Sequence, residues 1–252
     1  MTDILESLVS TIFWVAIFFL VLQHVLGPVL VWRAERIPAA YDLQPIDIQS
    51  VMAELDQNGK LSVEQLVALG FVPVLASQIV KSHSRTSFLM FRHPTDPAAA
   101  NLTTAANAAL RVSYVEFTQV FTGNTMLDVN TSAMPSAFPA FPGKHVWRFP
   151  GMQVPELHTA FVKLRARHER TNSPLPSLST EAPLADLSRR LDEETAKLMD
   201  AGYLVRRVEN GAHRLTPKGA ILFTWKFVWP WKPLRNKLQL AAARRALDAA
   251  HS

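Results

Sequence analysis

Between Ser7 and Trp32 the chain carries 26 consecutive residues without Asp, Glu, Lys or Arg, SLVSTIFWVAIFFLVLQHVLGPVLVW. As a helix this run is about 39 Å long, enough to cross a ~30 Å hydrocarbon core with some tilt. Trp14 and Trp32 suit the two interfaces. A cleaved signal peptide would carry a positive start, a shorter apolar run and a small-residue cleavage site. Here the start, MTDILES, has no Lys or Arg, and the run leads into VWRAER without such a site. Residues 7–32 therefore read as a retained transmembrane helix. Arg33 and Arg36 follow it, while Asp3 and Glu6 precede it. The basic flank marks the cytoplasmic side. The expectation is a single-pass protein of the cell inner membrane, N-terminus out, with the bulk of the chain in the cytoplasm. Gln23, His24 and Pro28 interrupt the run. One span makes no pore, so His24 is expected to face another helix or the kink near Pro28 rather than to serve as a proton or ligand site.

The fold class read from the remainder is α+β: an N-terminal transmembrane helix, an antiparallel β meander with helices, then a C-terminal winged-helix-like module and an amphipathic helix. Residues 33–50, with two prolines in IPAAYDLQPIDIQS, read as a juxtamembrane linker, and 51–170 as an α+β domain. SFLMFRH (87–93) has strand composition, while 98–110, AAANLTTAANAAL, suits helix and strand equally. SYVEFTQVF and TMLDVNTS alternate on either side of Thr122-Gly123-Asn124, which predicts a hairpin with Gly123 or Asn124 supplying positive φ. Pro/Phe-rich 134–151 reads as a loop over one face of the sheet. VPELHTAFVKLRARHER (154–170) has helical spacing at Leu157, Phe161 and Leu164. TNSPLPSLSTEAP (171–183) reads as a linker.

Helix, then AGYL, then a hairpin centred on Asn210-Gly211, then RLTPKGA: this order over 184–224 resembles the second half of a winged-helix domain. Such domains bind DNA with a recognition helix in the major groove and a wing on phosphates. Arg206, Arg207 and Arg214 suit the wing. The helix counts against it, because Asp186, Asp192, Glu193, Glu194 and Asp200 outnumber Arg189, Arg190 and Lys197. A module for packing or protein contact is the preferred reading.

From Tyr203 to Ser252 there are ten Lys/Arg against two acids, which points to an anionic partner surface. The stretch 219–231 is too short for a second span and is broken by Lys226 and Pro230. Its tryptophans beside lysines suit a membrane interface, so 219–250 reads as interfacial, basic helices. Trp225, Lys226, Trp229, Trp231, Lys232 and Arg235 are the membrane-interface candidates. Packing of these aromatics against the Phe-rich loop 138–149 is the alternative.

Residues 54–65, ELDQNGKLSVEQ, imitate a calcium loop, with Glu54, Asp56, Asn58 and Gly59 in register. Gln65 stands where a bidentate Glu is needed. A turn at Asn58-Gly59 followed by a helix capped by Ser62 and Gln65 is preferred. The absence of cysteine excludes disulfides, thiolate metal sites and a cysteine nucleophile. No phosphate loop, His-Glu metal helix or serine elbow occurs, so neither a cofactor nor a metal is expected. The best polar cluster is Glu116, Asp128 and Asn130, which neighbouring strands would bring to one face.

The chain as a whole resembles a family of uncharacterised bacterial single-pass membrane proteins. The likeness rests on ALGF (68–71), VEFTQVFTGNTMLDVNTS, FPG (149–151), VPELHTAFVKLRARH and LTPKGAILFTWKFVWPWKPLR. It implies architecture and no activity. The function expected first is a membrane-anchored interaction or adaptor protein with lipids and another protein as partners. A membrane-tethered DNA-binding regulator ranks second, with nucleic acid disfavoured by the acidic helix. A lipid-acting enzyme using Glu116, Asp128 and Asn130 ranks third.

Overall fold

The long apolar run forms a single helix, α1 (Thr2–Ala34), long and apolar enough to cross a membrane. A computed structural model describes residues 2–81, 84–106, 111–134 and 136–250. After α1 come β1 (Arg36–Pro38), β2 (Gln44–Ile46), α2 (Ile48–Glu54) and α3 (Gln57–Ala68). Five strands follow: β3 (Val72–Lys81), β4 (Ser84–Arg92), β5 (Ala99–Ala106), β6 (Arg111–Phe121) and β7 (Thr125–Asn130). Then come β8 (Lys144–Arg148), α4 (Val154–Glu169), β9 (Pro174–Leu175) and α5 (Pro183–Asp200). The chain closes with β10 (Leu204–Glu209), β11 (Ala212–Leu215), α6 (Pro217–Trp225) and α7 (Trp231–Asp248). The protein is thus a mixed α+β chain with one long apolar N-terminal helix.

It divides into two units. One comprises Met1–Ala40, Pro135–Pro139 and Glu194–Arg235; the other comprises Tyr41–Met134, Ala140–Glu193 and Asn236–Ser252.

The larger unit is an eight-stranded sheet ordered β2-β3-β4-β5-β6-β7-β8, with β9 on β6. Every pairing is antiparallel except β7 with β8. The turn between β6 and β7 places both Gly123 (φ 71°) and Asn124 (φ 58°) in the left-handed region. Alternation along β6 sends Val115, Phe117 and Phe121 to one face. There they meet Leu89, Phe91, Leu102, Leu127 and Val129, under Val63 and Leu66 of α3 and Leu157, Phe161 and Leu164 of α4. Asp47 caps α2 through Ser50 N–H (2.8 Å), and Asp56 caps α3 through Gly59 N–H (2.7 Å).

Several sequence expectations are corrected here. The calcium-loop imitation is helix from Gln57 onward, so those positions cannot wrap an ion. The cap is Asp56 rather than Ser62, whose hydroxyl donates to Asn58 O within the helix (2.9 Å). Residues 33–50 are no free linker, because β1 and β2 each join a sheet. VPVLASQIVK, which the sequence reading left unassigned, is the long strand β3. Of 98–110, Ala99–Ala106 is strand and 107–110 lie outside the described residues. The loop 134–151 holds β8. The linker 171–183 is docked: β9 extends the sheet where β6 outruns β5, Gln119 Nε2 donates to Leu175 O (2.7 Å), and Ser177 and Leu178 are buried. In α7, Leu240, Ala243, Ala246 and Leu247 follow helical spacing into the large core, so the interfacial reading of 219–250 does not extend to that half.

The smaller unit is built on the end of α1. Its sheet has the order β1-β11-β10. Val31 and Ile37 pack with Leu198, Met199, Leu204, Leu215, Ala220 and Phe223. LTPKG has a physical role at each step. Thr216 accepts from Gly219 N–H (3.1 Å) and donates to Gly202 O (2.7 Å), and Pro217 opens α6. Lys218 Nζ donates to Ala201 O (3.0 Å) and lies 4.8 Å from the Tyr203 ring centroid.

Candidate functional site

In the larger unit, the sheet face opposite the main core is apolar around Met90, Ala99 and Leu178 but polar along β6–β8. Register pairs Glu116 with Asn130 and Thr118 with Asp128, and then Asp128 and Asn130 with Val146 and Arg148 of β8. The three residues singled out from the sequence do meet on this face. Asn130 Nδ2 donates to Glu116 Oε2 (3.0 Å), and Asn130 Oδ1 accepts from Ser132 N–H (3.1 Å). Asp128 accepts from Thr118 Oγ1 (2.8 Å) and pairs with Lys144 Nζ (3.3 Å). Asp128 and Asn130 are buried, 4% and 3% exposed. Both oxygens of Asp128 and both ends of the Asn130 amide are engaged within the protein. These groups are spent on one another rather than aimed at a substrate, as a structural network would be.

The sequence missed Tyr114, Lys144 and Arg190 around this network. Tyr114 lies two residues before Glu116 on the same strand, so period-2 alternation could have found it. Burial, then the nearby carboxylates of Glu116 and Asp128, push its hydroxyl pKa up to about 12, so it stays a neutral phenol. Lys144 falls on a strand hidden in a Pro/Phe-rich stretch. Arg190 of α5 donates to Ser177 O, and burial lowers its pKa.

On the core face three histidines pack as rings. His158 lies against Phe117 (centroids 5.2 Å) and Phe71 (5.8 Å), and His145 lies 4.6 Å from His168. Among the described residues no group of three or more His, Asp or Glu converges as a metal site. Burial lowers the pKa of His158 and of His168, and for His168 the neighbouring His145 and Arg167 add to the effect. A neutral imidazole is therefore favoured in the folded state. Stability from these groups is present above the ordinary value near 6.5 and is lost as pH falls through the lowered folded values. Asp96 adds a second loss at lower pH. Its burial works to raise its pKa, but the Arg165 guanidinium (2.5 Å) and the Ala98 N–H outweigh that and hold it below the usual carboxylate value. The urea midpoint of the detergent-solubilised chain is expected to fall between pH 7.5 and 5, roughly 1 to 2 units either side of the ordinary histidine value. The slope should shrink in His158→Gln and His168→Gln. A flat profile over that range would contradict the assignment.

In the smaller unit the membrane-interface candidates separate. Trp225, Trp229 and Trp231 are 42%, 61% and 43% exposed. Lys232 and Arg235 are half-buried. Lys226 is 3% exposed, so its expected place at the membrane interface is corrected: it is folded inside the unit. The aromatics divide between packed and exposed positions. Phe223 packs 6.2 Å from Phe138, which stacks on Tyr203 at 5.2 Å, whereas the tryptophans stay outside. Trp225 Nε1 donates to His24 O (3.3 Å), and its ring lies 6.3 Å from the His24 ring, so His24 faces another helix, α6. The arginines expected on a wing are all paired with acids: Arg206 with Asp200 (2.8 Å), and Arg207 and Arg214 with Glu209 (3.7 and 3.9 Å).

No family model, no curated protein and no solved structure matches the chain.

Proposed function

We propose that the chain is a membrane-anchored interaction or adaptor protein of the cytoplasmic side: single-pass, N-terminus out, held in the inner membrane by α1. One observation carries the reading. The last turn of α1 is part of the smaller unit's core, through Val31, and β1 enters the sheet two residues after α1 ends. A passive tether would be followed by a flexible linker. Here the end of the anchor and the module share one core, which suits a protein that presents a surface at a set height and orientation above the bilayer. Arg33 and Arg36 at the foot of α1 favour the cytoplasmic side for that surface.

The DNA-binding reading draws support from the strand order β1-β11-β10, the order in which a winged helix arranges its three strands. On that comparison most of the larger unit is inserted after β1, its last segment, Asn236–Ser252, follows α6, and α1 occupies the place of the first helix. The charges oppose it. On α5, Arg189 is bridged to Glu193 (2.6 Å) and Asp186 (3.4 Å), and Arg190 is turned inward to Ser177. Few cations remain for phosphate.

The full chain in phosphatidylcholine–phosphatidylglycerol nanodiscs tests the ranking. The expected result is retention of the chain in membranes through alkaline carbonate, and no binding of labelled duplex DNA between about 50 and 200 mM salt. Salt-sensitive duplex binding would replace the adaptor reading with the regulator. Release by carbonate would remove the anchor.

A further inference from the structure

We propose that α6 and the aromatic turn behind it form a wedge in one leaflet, running back into the bilayer beside α1 and taking lipid acyl chains on its exposed face. The inference rests on the reading of α1 as a membrane span. The sequence alone suggested a helix lying flat on the surface. Such a helix would cross a spanning helix at a steep angle and touch it at one level. α6 instead runs antiparallel along α1. Ala220 shares a cluster with Val31, a Cβ on Gly27 would lie 2.9 Å from Thr224 Cγ2, and Trp225 reaches His24 O. As α6 advances, the α1 residues that it meets go backward, from 31 to 27 to 24. His24 is eight residues above Trp32, about 12 Å along the helix axis. If Trp32 marks the headgroups, Trp225 lies among the upper acyl chains, the depth at which apolar faces of interfacial segments settle.

The partly covered residues of α1 confirm the contact face. Ile17, Leu20, Gln23, His24, Gly27, Pro28 and Val31 form a stripe at helical spacing, while the other residues from 5 to 34 are exposed. The wedge does not cross, since nine residues of α6 span only about 14 Å. Irregular backbone in lipid needs internal partners. The turn has several: the Lys226 and Phe227 N–H groups reach Thr224 O, and Lys232 N–H reaches Val228 O (2.9 Å). Lys226 is buried and so stays off the lipid face, which Ile221, Trp225, Trp229 and Trp231 make up. Lys232 and Arg235, at the start of the returning α7, then reach on long side chains toward anionic headgroups.

The chain has no cysteine, so single cysteines report without background. Ile221→Cys, Trp229→Cys, Phe18→Cys on α1 and Val208→Cys in the wing hairpin would each be placed in the full chain and reconstituted in phosphatidylcholine–phosphatidylglycerol vesicles. A membrane-impermeant maleimide is expected to label Ile221→Cys and Trp229→Cys about tenfold more slowly than Val208→Cys, as for groups in the acyl region. Should either variant misfold, bromine-labelled lipids give the second readout. Bromines high on the acyl chain are expected to quench tryptophan emission, and Trp225→Phe, Trp229→Phe and Trp231→Phe together should reduce that quenching to the part due to Trp14 and Trp32 of α1. Rapid labelling of Trp229→Cys with Phe18→Cys still protected overturns the wedge alone. Rapid labelling of Phe18→Cys overturns the span, and the wedge with it. Quenching unchanged in the triple variant overturns the wedge as well.

Discussion

Replacing Gly219 by Val is expected to cost the smaller unit at least about 3 kcal/mol, through overpacking against backbone. A Cβ at Gly219 would lie 2.2 Å from the Tyr203 carbonyl oxygen and 3.0 Å from its carbon. That carbonyl cannot yield, because it accepts from Thr216 N–H (2.9 Å) and Thr216 caps α6. Relief requires α6 to back away from the β10–β11 hairpin, and α6 is also the element packed on α1. The comparison that isolates the cause is Gly202→Ala. Gly202 has φ 73° but open space where a Cβ would go, so its replacement carries only the backbone cost, about 1 kcal/mol. Thermal melts in detergent, with proteolysis of the 204–215 hairpin as the local readout, should rank Gly219→Val well below Gly202→Ala. The reverse order would mean that the LTPKG junction is not the clasp described.

Asp128→Ala is expected to destabilise the larger unit by about 2–3 kcal/mol, because a buried, bonded carboxylate is removed and its partners are stranded. Thr118 loses its acceptor, and Lys144 loses its ion pair. The Lys144 side chain is 25% exposed and can turn to water, which keeps the cost below that of a fully buried pair. Asp128→Asn retains an acceptor for Thr118 and should recover about half of the loss. The urea midpoint decides between roles. Destabilisation relieved by Asn marks a structural network. A full midpoint with a lost enzymatic turnover on lipid would instead put Asp128 in a catalytic site.

Much of the architecture was legible because it depends on local signals. The uncharged run of α1, the alternation on either side of Gly123-Asn124, and the helical spacing of Leu157, Phe161 and Leu164 each declare one element. What stayed hidden depends on partners distant in sequence. β1 is three residues long and is a strand only because β11 pairs with it from 212–214. β8 is disguised by flanking Pro, Phe and Gly, and it exists because β7 offers an edge. Asp56 and Ser62 are both good caps, and the one that wins is decided by burial of Gly59, Val63 and Leu66. For the candidate sites, alternation placed Glu116, Asp128 and Asn130 together but could not show that they are buried and mutually satisfied. The aromatic run of α6 is apolar on all sides, so periodicity held no information about its direction. The contact that sets it is small against small, Gly27 on Thr224, and leaves no mark in composition.

Topology decides between one span and two. A reporter active only in the cytoplasm would be fused after Asn172 and, separately, after Ser252. Activity at both positions is the predicted result: one span, N-terminus out, and a C-terminal wedge that enters the leaflet and leaves by the same side. A silent fusion after Asn172 would contradict the orientation. Activity after Asn172 with silence after Ser252 would mean that the WKFVWPW segment crosses the bilayer, and the one-leaflet account would fall.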